Sequence, residues 1–181
     1  MDLSRRDFIS AATTGVGAVW LGARVVEAAR LGPSAGLRSL TAAQAEALDA
    51  LTAQIIPTDD TPGAREAGVV RFIDQGLASF ASQQRPLFES GLADLETAAR
   101  AYPGATSFAG LRPEQQVEVM QGMEAQRSQF FEAVLAATMA GMFANPEYGG
   151  NADKVGWKLI GFEDRFAWQP PFGYYDRDQA P

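Results

Sequence analysis

The chain has 181 residues and a net charge of −7, is 46% hydrophobic, and contains neither cysteine nor histidine. Without cysteine it can form no disulfide, iron–sulfur cluster or covalent haem c; without histidine it lacks the commonest general base, metal ligand and haem ligand, and so any Ser-His-Asp or Cys-His triad. The acidic balance argues against a nucleic-acid or anionic-membrane surface.

The chain opens with Ser4-Arg5-Arg6-Asp7-Phe8-Ile9, followed by an apolar run from Ile9 to Val26 that Gly15, Gly17 and Gly22 interrupt. The run has the length of a signal h-region with its flank and makes a weak membrane span, and Val26-Glu27-Ala28-Ala29 offers small residues for cleavage. Arg5, Arg6 and Phe8 mark a twin-arginine export signal over residues 1–28, to be read by the twin-arginine translocase. That route carries proteins already folded, often with a cofactor or partner attached. An ordinary secretory signal or a membrane anchor is the plainer alternative. Residues 29–39, punctuated by Gly32, Pro33 and Gly36, read as a linker. Residues 40–181 then form a single helical domain of a size that supports a real core.

Thr41-Ala42-Ala43-Gln44 is a capping box with Leu40 as staple, and Ala47, Leu48, Leu51, Ile55 and Ile56 share one face of the helix that Pro57 ends. Thr58-Asp59-Asp60-Thr61-Pro62-Gly63 is a loop; its two acids are too few for a calcium loop and read better as a turn. Apolar spacing predicts a second helix over 67–80, with Val69, Val70, Ile73, Leu77 and Phe80 inward. A third runs over 85–102 with Pro86 in its first turn, and its inward residues are Leu87, Phe88, Leu92, Leu95 and Ala99. A proline-started helix follows from Pro113 to about Met123. A last long helix over 127–144 carries Phe130, Phe131, Val134, Leu135, Met139 and Met142, the methionines as core fillers. No run alternates as a strand would. The fold class is all-α: a compact bundle of about five helices with an irregular, aromatic-rich C-terminal tail.

From Asn145 the composition changes. Asn145-Pro146-Glu147-Tyr148-Gly149-Gly150-Asn151 is dense in turn formers, and Asn151 is placed to cap a short helix over 152–159 that holds Gly156 and Trp157. Beyond it come Phe162, Phe166, Trp168, Phe172, Tyr174 and Tyr175. This aromatic segment either clads its own bundle or docks on a partner, where such residues are favoured anchors. The carboxylates Glu147, Asp153, Glu163 and Asp164 read as solvated loop acids.

Three blocks in order carry a family resemblance: the Ser4-Arg5-Arg6-Asp7-Phe8 signal; Leu40-Thr41 through Ile55-Ile56-Pro57-Thr58-Asp59 to Thr61-Pro62-Gly63-Ala64 and Ala67-Gly68-Val69; and Asn145 to Asn151 followed by Gly156-Trp157 and Gly161-Phe162. With them the chain resembles the gluconate 2-dehydrogenase subunit 3 family, the small subunit of exported flavin-dependent sugar dehydrogenases. The resemblance implies a non-catalytic periplasmic subunit with no cofactor or metal of its own. Its partner is then a large FAD-binding dehydrogenase subunit of the glucose–methanol–choline type, acting on a sugar or polyol. Some such complexes add a cytochrome c subunit carrying haem c, and any membrane association runs through the complex.

The small subunit would carry the export signal for the flavoprotein and support its assembly. Asn145, Tyr148, Gly149, Gly150, Asn151, Trp157, Phe162, Trp168, Phe172, Tyr174 and Tyr175 are the candidates for the partner interface. For Gly149, Gly150 and Gly156 a backbone requirement of the fold is the other reading, and for Trp157 a place in the core. Two rival functions stay open beside this one: a stand-alone extracytoplasmic binding or structural protein, and an enzyme using carboxylates such as Asp59 or Glu147.

Overall fold

The computed structural model describes residues 36–165, and among them every regular element is helical. Six α-helices follow in order: α1 (Ala42–Ile55), α2 (Val69–Leu77), α3 (Arg85–Ala99), α4 (Pro113–Ala125), α5 (Gln129–Phe143) and the short α6 (Val155–Leu159). Single 3-10 turns, Ser82–Gln84, Pro146–Tyr148 and Ala152–Lys154, join some of them.

Local chemistry sets the starts. The Gln44 N–H donates to Thr41 Oγ1 at 3.2 Å and the Thr41 N–H to Gln44 Oε1 at 2.9 Å, which closes the expected capping box. Pro113 starts α4, and Ser128 caps α5 by accepting from the Phe131 N–H. Leu40, Leu48, Leu51, Phe72, Ile73, Leu77, Phe88, Leu95, Phe130 and Val134 join one core. α5 touches every other helix and packs most extensively against α2. That approach depends on the small face of α5: a Cβ on Gly141 would stand 3.1 Å from the Phe72 ring.

Several expectations shift. α2 is shorter than 67–80 because Gly68 takes a left-handed φ of 69° before it and tight turns close at Ser79 and Ala81 after it. α3 stops at Ala99, where Ala101 and Tyr102 pair back three residues instead of four. α5 begins at Gln129 because Arg127 is left-handed at φ 51°. Leu135 is 38% exposed rather than inward, one step off the Phe130–Val134–Ala137–Gly141 stripe.

Buried polar groups tie the connections down. Asp74, on α2, is 2% exposed, and its carboxylate accepts from the backbone N–H groups of Arg38, Ser39 and Leu40 at 2.9–3.1 Å. A buried charge is tolerable only when hydrogen-bonded in this way. It fixes the point at which the chain preceding α1 joins the bundle. Gln116 does similar work on the loop before α4: its amide donates to the carbonyls of Phe108 and Leu111 and accepts from Gln54 at 2.8 Å. Among the described residues no helix is long and apolar enough to cross a membrane.

Candidate functional site

The last four carbonyls of any α-helix lack partners within the helix. At the end of α5, residues 144–162 fold back as a hook that supplies partners for three of them. The Asn151 N–H donates to Gly141 O at 2.7 Å, the indole Nε1–H of Trp157 donates to Phe143 O at 2.8 Å, and the Ala144 N–H takes Ala140 O. Asn151 Nδ2 adds a bond to Ala144 O at 2.9 Å, while its Oδ1 accepts the Gly156 N–H at 2.8 Å. Asn151 is therefore fully buried at 0% exposure, with both ends of its amide occupied. It does satisfy an orphan N–H of the short α6, as a cap would, but from four residues upstream of Val155.

Close backbone approach completes the seat. A Cβ on Gly156 would stand 1.9 Å from Met142 O, and one on Gly150 2.3 Å from Gly141 O. Gly149 has a φ of 96°, and a Cβ there would meet the Gln75 amide at 2.3 Å. The path between these glycines is strained: Asn151, Asp153 and Lys154 hold φ of 45°, 53° and 58°. Each left-handed non-glycine costs about 1 kcal/mol, least for Asn and Asp. The short helix expected over 152–159 is accordingly split: the 3-10 turn Ala152–Lys154 contains the left-handed Asp153, and α6 begins only at Val155.

The hook also meets the second sequence block. The Ala152 N–H donates to Ala67 O at 3.0 Å, and Gly68 lies against Gly149. In the loop before α2, Glu66 accepts from the Thr58 hydroxyl at 2.7 Å and from the Gly63 N–H at 2.8 Å. Asp59 accepts from the Thr61 N–H and hydroxyl, both at 2.9 Å. The bond from Thr58 holds the Glu66 carboxyl below its usual range, and the Thr61 N–H does the same for Asp59. These acids are employed in shaping a turn.

The interface candidates thus separate. Gly150 and Asn151 lie inside, and Tyr148 is half-buried against the core. Gly150 and Asn151 can influence a partner surface only by holding the segment that presents it. Trp157 is half-buried and bonded to α5; Phe162 lies on it, ring centroids 4.9 Å apart, and is 44% exposed. Asn145 is exposed, its side chain accepting from the Glu147 N–H. Trp168, Phe172, Tyr174 and Tyr175, like Arg5, Arg6 and Phe8, lie outside the described residues. Two residues absent from the sequence-based candidates stand out: Leu159 is 42% and Ile160 59% exposed, side by side on the outer end of the hook. Behind Lys158 they formed no apolar run, and nothing in the sequence marked them.

Elsewhere the described surface includes open clefts of about 420 and 500 Å³, one lined by Glu46, Glu89, Glu96 and Arg100, the other by Asp94, Tyr102 and Glu118. Glu96 is occupied with the Phe108 N–H, and partial burial with the adjacent Glu118 pushes the Tyr102 phenol up. Among the described residues no three acids cluster closely enough to hold a metal ion.

A family model described as gluconate 2-dehydrogenase subunit 3 matches residues 42–164, from the first residue of α1 to the end of the hook. No curated protein and no solved structure matches the chain.

Proposed function

This chain belongs to the gluconate 2-dehydrogenase subunit 3 family, and from that premise we propose that it is the non-catalytic accessory subunit of a periplasmic, FAD-dependent sugar or polyol dehydrogenase. The observation that carries the reading is the match across the whole described bundle and hook, in a chain that opens with Ser4-Arg5-Arg6-Asp7-Phe8. The chemistry of the chain agrees. It offers no thiol or imidazole, and its shaped polar groups are committed to holding the fold: Asp74 to residues 38–40, Asn151 to α5 and α6, Glu66 and Asp59 to their turn. Binding energy in such a subunit goes into a surface rather than a pocket.

A division of labour follows. FAD resides in the large subunit, which performs the oxidation and sets substrate choice, and haem c, where a complex carries it, belongs to a cytochrome subunit. FAD is loaded in the cytoplasm, so the flavoprotein has to cross the membrane folded. A twin-arginine signal on a tightly bound partner achieves this, with Arg5, Arg6 and Phe8 read by the translocase. The hook and the aromatic segment after it, to Tyr175, supply the docking side of the contract.

Arg5→Lys together with Arg6→Lys tests the reading. Both this chain and the flavoprotein are expected to stay in the cytoplasm, measured by fractionation and dehydrogenase activity in the periplasm. A flavoprotein still exported beside the doubly substituted subunit contradicts it.

A further inference from the structure

We propose that the outer end of the hook, Leu159 and Ile160 with the exposed edge of Phe162, is the centre of the surface by which this subunit binds the large subunit, and that it docks into an apolar groove through contacts that do not depend on charge. The proposal rests on the accessory-subunit reading and names the surface that reading leaves open.

Among the described residues six large hydrophobic side chains are exposed. Three of them, Leu37, Val117 and Leu135, sit on separate elements, as isolated surface hydrophobics normally do. The other three fall within four residues, at 42%, 59% and 44% exposure for Leu159, Ile160 and Phe162. Their mount is rigid. Gly156 and Trp157, one turn earlier, are fixed to the end of α5, and the Phe162 N–H closes the turn onto Trp157 O at 2.8 Å. The left-handed residues Asn151, Asp153 and Lys154 are the cost of this course. A turn that only had to cover the end of α5 could have turned these side chains inward. This one places apolar side chains in solvent on a pre-ordered support, which lowers the ordering cost of association.

The charges around the patch define the occupant. Residues 153–165 carry Lys154, Lys158 and Arg165 beside Asp153, Glu163 and Asp164, three charges of each sign. Lys154 pairs with Asp164 at 2.7 Å and Arg165 with Glu163. A rim that neutralises itself asks for no charged counterpart, so the matching surface is apolar with a neutral polar edge, the arrangement of a hot spot inside its rim. Three side chains cover only part of the roughly 800 Å² that each partner buries in a stable complex, so the contact has to extend beyond them. The chain continues past Arg165 for sixteen residues that include Phe166, Trp168, Phe172, Tyr174 and Tyr175.

The test uses full-length chain from its native host, tagged, with Leu159→Asp and Ile160→Asp together, and Leu135→Asp as the control on the bundle. The double variant is expected to lose the co-purifying large subunit, a fall in affinity of about 100-fold or more. The Leu135 variant is expected to keep it. Wild-type binding should change less than about threefold when salt rises from low to high ionic strength, since little of it is electrostatic. The melting temperature of the isolated double variant is expected to match wild type. Retention of the large subunit by the double variant overturns the proposal. So does a marked loss of stability in the isolated double variant, which would mean that the chain's own tail covers the patch, and so does loss of self-association alone, which would mean that a second copy does. If the subunit lost by the double variant carries no flavin, the surface stands and the flavoprotein reading falls; if wild type binds no subunit, both fall.

Discussion

The five-helix bundle and the hook at its end are held together in different ways. In the bundle, apolar side chains of every helix from α1 to α5 meet in one core, and the close approach of α2 to α5 is set by small residues and aromatic rings. In the hook, the inner contacts are backbone to backbone: glycines lie on carbonyls, and one buried asparagine bridges Ala144 and Gly156. The bundle can absorb changes of side-chain volume by relaxing. At Gly150 and Gly156 the hook meets backbone oxygens, which cannot swing aside as a side chain can, so a single methyl group is enough to lift it. These two glycines seat the segment that presents Leu159 and Ile160 to solvent.

The largest effect is expected in the bundle. Phe72→Ala removes a ring at 2% exposure between α2 and α5 and is expected to cost about 3–5 kcal/mol, lowering the melting temperature of the whole described fold. Gly156→Ala should cost about 3 kcal/mol, the upper end for overpacking, because the new Cβ falls 1.9 Å from a backbone oxygen. Its effect should be local. Hydrogen exchange is expected to lose protection at the Trp157 indole and the Asn151 N–H while amides in α2 and α5 keep theirs. Equal loss in both regions would mean that hook and bundle form one cooperative unit. Asn151→Ala leaves Ala144 O and the Gly156 N–H without partners and is expected to cost about 2 kcal/mol, read by the same exchange pattern.

The smallest effect sharpens the comparison at the loop on which the hook leans. Glu66 and Asp59 are more acidic in the folded chain than in the unfolded one. Their contribution is therefore complete above the unfolded carboxyl range, near 4.5 for Glu66, and is lost as pH falls through the lower folded values. Below about pH 4 the Gly63 and Thr61 amides are expected to exchange faster relative to those of α5, and Glu66→Gln should remove part of that dependence. A loop that exchanges at a constant ratio to α5 across this range would show that the two carboxylates do not hold it.

Local signals in the sequence carried most of the bundle. The Thr41–Gln44 box, Pro86 and Pro113 in first turns, and the 3.6-residue spacing of Leu48, Leu51, Phe88, Leu92 and Leu95 mark helices whatever surrounds them. Asp74 was not legible, because a carboxylate beside Ile73 reads as a solvent face until residues 38–40 bring their N–H groups to it. The hook was legible as a distinct block but not in its parts. Gly149, Gly150 and Asn151 stood out as turn formers; that Gly150 and Asn151 serve the end of α5 from within depends on contacts across the fold. Leu159 and Ile160 lacked any turn or aromatic signature, and only the direction imposed by the left-handed run turns them outward.

The measurement that bears most directly on the account is purification of the tagged chain from its native host, with the mass of every co-purifying chain and the visible absorbance of the complex. The account predicts a stoichiometric large subunit whose flavin spectrum and sugar or polyol oxidation stay with it when the two are separated, leaving this chain colourless and inactive. A colourless monomer from the host, or flavin and dehydrogenase activity that remain with this chain alone, would contradict it.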